Sequence, residues 1–208
     1  MTETLERIGA ARLVPVVVLD DAASAAPLAE ALVAGGLPVA EVTFRTAAAV
    51  EAIRTMAVNP DMLVGAGTVL TPEQVDAAVD AGASYVVSPG LSVPVVRRCA
   101  ERGVLALPGA VTATEVQAAL AEGLTAVKFF PASTSGGAPA IKALSAPFGD
   151  LRFVPTGGIG PDNLADYLAV GAVLAVGGSW MVPRADIAAG DFDKVTRLTA
   201  DAVALAAA

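Results

Sequence analysis

Residues 63–89 read LVGAGTVLTPEQVDAAVDAGASYVVSP, and their order decides the fold. An almost unbroken apolar run at 63–69 gives way to Thr71-Pro72-Glu73-Gln74. That tetrad offers a helix N-cap, a proline at the first helical position and a capping-box glutamine. The stretch behind it closes at Gly82, where a left-handed C-terminal residue is wanted, and a second apolar run begins at 85–89. Strands that are apolar throughout are buried on both faces, as a parallel sheet requires. The segment therefore reads as strand, helix, strand.

The same unit recurs along the chain. Strand candidates fall at 13–19, 40–45, 63–69, 85–89, 104–108, 126–131, 153–157 and 174–178. Thr112 with Glu115 repeats the capping logic, Gly160-Pro161 opens a further helix, and Gly35, Gly103, Gly123 and Gly171 precede later strands. Eight such units with no linker or low-complexity tract predict one domain over residues 1–208. The expected fold is α/β, a (β/α)8 TIM barrel with an extra N-terminal helix at 2–10. A doubly wound open sheet is the competing fold, but it would leave two edges and has no switch-point fingerprint. Gly65-Ala66-Gly67-Thr68 lacks the third glycine and the downstream acid of a dinucleotide site.

Composition narrows the chemistry. The chain is 55% hydrophobic and 16% charged, against roughly 25% charged for an average soluble protein. So charge-poor a surface predicts an oligomer. A net charge of −8 argues against a nucleic-acid partner, and Arg97, Arg98 and Arg102 read as one solvated helix face. No apolar run approaches the ~20 residues of a membrane span, and the polar N-terminus is not that of a secretory signal, so no membrane partner is expected. The single cysteine, Cys99, excludes an intrachain disulfide, and a cytoplasmic location follows. With no histidine there is no Ser-His-Asp triad and no His-based zinc site; Cys99 reads as a buried helix residue.

Candidate chemistry collects at one rim. Of only three lysines, Lys142 and Lys194 lie in amphipathic stretches, whereas Lys128 sits inside Ala126-Val-Lys-Phe-Phe-Pro-Ala132. A desolvated amine loses its proton more readily and attacks ketones, which points to an imine-forming enzyme. A lysine snorkelling to solvent from a strand end is the structural alternative. Glu41, Thr43 and Arg45 alternate along strand two and share a face, and Glu41 is the only carboxylate embedded in an apolar strand. An internal Glu41–Arg45 ion pair is the alternative there. Thr156-Gly-Gly-Ile159 and Gly177-Gly-Ser-Trp180 end strands seven and eight, where barrels of this kind bind phosphate through loop N–H groups and a following helix start.

These motifs resemble the 2-keto-3-deoxy-6-phosphogluconate (KDPG) / 4-hydroxy-2-oxoglutarate (KHG) aldolase family of class I aldolases. The resemblance runs through Glu41–Thr46, Val64–Val69, Ser88–Gly90, Lys128–Ala132, Pro155–Ile159 and Gly177–Trp180. It implies a lyase that releases pyruvate from a 2-keto acid, in the Entner-Doudoroff pathway, as a homotrimer. Lys128 would form the Schiff base and Glu41 would relay protons, through water. Arg45 and Thr68 would bind the substrate carboxylate, with Thr156 near the imine. Phe130 and Pro89 would shape the pocket; Gly157, Gly158, Gly178 and Ser179 would hold a phosphate. No metal or organic cofactor is implied, because the imine is the electron sink. Two departures from the family pattern lie near the mouth: Ser133 where an acid is common, and Asp20-Asp21 where many relatives carry a base. Phosphogalactonate aldolases lack the Thr-Phe-Arg pattern after the glutamate.

Overall fold

The alternating apolar and amphipathic stretches become eight strands and ten helices in a computed structural model that describes residues 1–208. The strands are β1 (Leu13–Val17), β2 (Val39–Thr43), β3 (Leu63–Gly67), β4 (Tyr85–Val87), β5 (Leu105–Leu107), β6 (Ala126–Phe129), β7 (Arg152–Pro155) and β8 (Val176–Gly178). The helices are α1 (Thr2–Ala11), α2 (Ala25–Ala34), α3 (Ala49–Ala57), α4 (Pro72–Asp80), α5 (Val93–Glu101), α6 (Ala113–Ala121), α7 (Gly137–Ser145), α8 (Leu164–Leu168), α9 (Arg184–Ala189) and α10 (Phe192–Ala207). The expected N-terminal helix is α1.

All strand pairs are parallel. One ladder holds six strands in the order β5-β4-β3-β2-β1-β8, and β6 pairs with β7. The order is sequential, with β8 returning beside β1 through Leu13 and Val176, so there is no reversal point of the doubly wound kind. The continuous eight-strand ladder expected from the sequence is not what the hydrogen bonding forms. Isolated bridges, Gly109 with Lys128 on one side and Phe153 with Val173 and Thr156 with Gly177 on the other, join the two-stranded unit to its neighbours. On the β5 side the residue facing the seam is Pro108, which has no N–H to donate, so only its carbonyl and Ala110 N–H bond to Lys128.

Strand alternation produces two cores. Leu13, Val17, Ala40, Val42, Val64, Ala66, Val127 and Phe129 pack toward the helices. Val14, Val39, Leu63, Tyr85, Leu105 and Ala126 fill the opposite, inner face, closed from the strand N-termini by Ile8 of α1. Glu41 and Thr43 share the inner parity of Val39.

On that inner face Tyr85 fits because its register partner is Gly65. A Cβ at Gly65 would lie 2.3 Å from the phenol ring, and the hydroxyl donates to the Ala40 carbonyl at 2.8 Å. Gly65→Ala should therefore destabilise the fold by on the order of 1–3 kcal/mol through overpacking. Thermal or urea unfolding measures it, and an unchanged midpoint would contradict this packing.

Most helix signals are realised. Thr71 caps α4 by accepting from Gln74 N–H, although the Gln74 side chain bonds Leu70 N–H rather than that of Thr71. Thr112 and Glu115 form the full reciprocal box on α6. Two expectations are corrected. Gly35 and Gly171 do not take the left-handed role: Gly36 does so after α2 (φ 81°), while Gly35 is needed because a Cβ there would sit 2.6 Å from Thr199 of α10. Gly160-Pro161 opens only a turn, and α8 begins at Leu164 once Asn163 has tied the turn to Gly160 N–H.

Cys99 is buried, and burial pushes its thiol up to about 12, so it holds no thiolate near neutrality. Arg97, Arg98 and Arg102 are committed to Glu122, Asp76, Glu101 and Asp80 across α4, α5 and α6, as a solvated face should be.

Candidate active site

β2 and β6 each bring one ionisable side chain to the inner face, and the two meet. Lys128 Nζ donates to Glu41 Oε1 at 3.1 Å, with the side chains 8% and 4% exposed. Glu41 thus pairs with Lys128, not with Arg45, and Lys128 does not snorkel to solvent. Both backbone groups of Lys128 are fixed: its N–H donates to Pro108 O and its carbonyl accepts from Ala110 N–H, each at 2.9 Å. Glu41 is accommodated because residue 67 is glycine; a Cβ there would fall 2.3 Å from Oε1. Burial, then the Glu41 charge, pushes the Tyr85 phenol well above its ordinary range, so Tyr85 stays protonated beside the pair. The Phe130 ring lies over the ammonium, its centroid 5.1 Å from Nζ.

Glu41, Lys128 and Thr156 border a small internal space of about 10 Å³. Thr156 also lines a larger, open cavity of about 320 Å³ with Arg45, Phe130, Gly157, Gly158, Gly178 and Ser179. Thr156 therefore stands between the pair and the cavity. It is buried, and its Oγ1 has no hydrogen-bond partner in the chain. A buried hydroxyl left unpaired costs roughly 1–3 kcal/mol, which a bound polar group would recover.

The glycine loops present donors. Gly157 and Gly158 have φ of 100° and 71°. Their carbonyls are tied down, Gly157 O by Ser133 N–H at 3.0 Å and Gly158 O by Asn163 Nδ2 at 3.0 Å. The N–H groups of Gly157, Gly158 and Ser179 find no acceptor within the protein. Such an arrangement suits an anion. The expected helix starts do not contribute directly, since α8 and α9 begin only at Leu164 and Arg184.

The remaining expected residues are more dispersed. Arg45 lies beyond β2 in an exposed turn, because β2 stops at Thr43, whose hydroxyl bonds Val17 O at 2.9 Å. It reaches the larger cavity from the rim rather than from the core. Thr68 follows β3 in a left-handed conformation (φ 58°), and Pro89 is exposed after β4; neither lines either space.

Two contributors escaped the sequence reading. Tyr85 forms the floor under Glu41, signalled only by the glycine opposite it. Arg184 lines the larger cavity and forks onto Asp20, with Nε–Oδ2 at 2.7 Å and Nη2–Oδ1 at 2.5 Å. That contact holds the Asp20 carboxyl below the usual range. The two residues are 164 positions apart, so only the adjacency of β1 and β8 reveals them.

Comparison with known proteins points the same way. A 2-dehydro-3-deoxy-phosphogluconate aldolase of Treponema pallidum (strain Nichols) is 52% identical over 198 residues, 95% of this chain and 93% of that protein. The KDPG aldolase of Legionella pneumophila, solved with pyruvate captured at low pH as a covalent carbinolamine intermediate, superposes with a TM-score of 0.92. It is 39% identical and the match covers 95% of this chain and 97% of that one. The 2-keto-3-deoxy-6-phosphogluconate aldolase of Zymomonas mobilis ZM4 with 3-phosphoglycerate gives a TM-score of 0.89 at 44% identity, covering 98% of this chain and 95% of that one. Residues 5–198 match the aldolase family described as KDPG and KHG aldolase, and with a buried lysine–glutamate pair under an anion-ready rim, the chain belongs to that family.

Proposed function

We propose that this protein is a class I aldolase cleaving 2-dehydro-3-deoxy-6-phosphogluconate to pyruvate and glyceraldehyde 3-phosphate. The same steps on 4-hydroxy-2-oxoglutarate give pyruvate and glyoxylate. The observation that carries this reading is the Lys128–Glu41 pair, buried at 3.1 Å beside a cavity that ends in free N–H donors.

The geometry supports a complete proton cycle. Glu41 takes a proton from the Lys128 ammonium, and the freed amine adds to the keto carbon C2 to give a carbinolamine. Glu41 returns its proton to the departing hydroxyl, which leaves as water, and a protonated imine remains. Acting through a water, Glu41 then removes the 4-hydroxyl proton. The C3–C4 bond breaks, the aldehyde leaves, and the electron pair moves to the imine as an enamine. Protonation at C3 by Glu41 and hydrolysis of the imine release pyruvate and restore the amine.

Arg45 supplies a planar fork for the substrate carboxylate, with Thr68 as a second carboxylate binder and Pro89 shaping the pocket. Phe130 covers the imine, and Thr156 gives its unpaired hydroxyl to the bound substrate. Gly157, Gly158, Gly178 and Ser179 receive the phosphate. The chemistry needs neither metal nor organic cofactor.

We also place the eight strands in one closed (β/α)8 barrel forming a single domain over residues 1–208; the sequential strand order and the bridges on both sides of the β6–β7 pair support this. A charge-poor chain supports an oligomer, and the family resemblance points to a homotrimer. No helix is long and apolar enough to cross a membrane, and a cytoplasmic location fits a chain with one buried cysteine.

Pyruvate release measured over a panel of 2-keto-3-deoxy acids, phosphorylated and not, tests the activity. The phosphogluconate substrate should be cleaved, and borohydride reduction in the presence of pyruvate should add a stable mass at Lys128. A fully active enzyme that acquires no such mass would sink the imine route.

A further inference from the structure

The wall of the larger cavity carries two cations, Arg45 and Arg184, and no carboxylate. Arg45 is claimed by the carboxylate next to the imine in the reading above, which leaves the distal end of the substrate with one candidate cation. Arg184 opens α9 directly after Pro183, at the far end of the short connection that leaves Gly178 of β8 through Ser179. Asp20, after β1, engages Nε and Nη2 but does not itself line the cavity. A guanidinium has five N–H donors in a fixed plane, so this grip orients the group while leaving Nη1 uncommitted.

We propose that Arg184, braced by Asp20, is a specificity-determining residue that selects substrates carrying a distal phosphate. The inference rests on the aldolase reading and deepens it. A phosphate bears about −1.5 to −2 charges near neutrality, and the loop N–H groups alone offer only partial charges against it. The Asp20–Arg184 pair spans the β1 and β8 loops, so the cation is held over the cavity without a carboxylate on the cavity wall. A substrate with C2 bonded to Lys128 extends toward the rim by its length. The phosphate on C6 of the six-carbon substrate reaches farther than the C5 carboxylate of 4-hydroxy-2-oxoglutarate, so the two substrates should respond differently to loss of Arg184.

The test compares wild type, Arg184→Lys and Arg184→Met on both substrates. Arg184→Met should lower the preference for the phosphorylated substrate, as the ratio of kcat/KM values, by about tenfold, a typical loss for one charge-assisted contact. The loss should appear in KM rather than kcat, with Arg184→Lys intermediate. Added salt should raise the wild-type KM for the phosphorylated substrate more steeply than that of Arg184→Met. An unchanged ratio, or a loss carried by kcat, would overturn the assignment. A wild-type enzyme that releases no pyruvate from either substrate would instead defeat the aldolase reading, before any variant is made.

Discussion

Lys128→Met should abolish pyruvate release, lowering kcat by roughly four orders of magnitude or more, as loss of a covalent catalyst does. Methionine matches the length and packing of the lysine stem but cannot form an imine. The position is buried between β7 and the bridge to Gly109, so an isosteric apolar side chain should fit without a cavity. Removing a buried ammonium does leave Glu41 without its partner, and an uncompensated buried charge costs about 3–5 kcal/mol unless it is neutralised by protonation. The activity measurement therefore belongs beside a melting curve. A folded Lys128→Met protein that still released pyruvate at a substantial rate would exclude the Lys128 imine.

That pair also shows how far the sequence could be read. Lys128 and Glu41 each stood out as charges within apolar runs, and alternation put both on inner faces. Their contact, across 87 positions, needs the strand order to be known. Glu41 could equally have been assigned to Arg45 four residues on, and local spacing favoured that error. The strand ends were misread in a consistent direction. Apolarity suggested 13–19, 63–69 and 85–89, whereas the ladders stop at Val17, Gly67 and Val87. The overrunning residues Leu19, Val69 and Ser88 remain buried without extending the ladder, so composition alone cannot separate them from strand. Thr68, Thr156 and Gly157 occupy this zone, where backbone leaves the sheet while still packed and can carry functional groups, and exposed Pro89 lies just past it. The helix caps were legible because Thr71 and Thr112 act within four residues of their partners. Asp20 was legible near the mouth, but its pairing with Arg184 was not, because β1 and β8 meet only after the whole chain has folded back.

Glu41→Gln should lower kcat by about 10²- to 10⁴-fold, the usual contribution of a positioned acid–base group. Glutamine keeps the side-chain volume against Gly67 and retains an acceptor for Lys128 Nζ, so the fold should survive with little change in midpoint. It cannot carry a proton, and four steps lose their relay: freeing the amine, protonating the departing hydroxyl, removing the 4-hydroxyl proton and protonating the enamine. The last step can be isolated. With pyruvate alone in D₂O, an active enzyme forms the enamine repeatedly and exchanges the methyl protons, which proton NMR follows. In Glu41→Gln that exchange should slow in step with kcat, while prolonged incubation with borohydride still tags Lys128. Wild-type exchange rates in the variant would assign the proton relay to another group. If Glu41→Gln and Lys128→Met both shifted only the melting temperature, the buried pair would be a structural tie, and catalysis would have to be sought elsewhere on the rim.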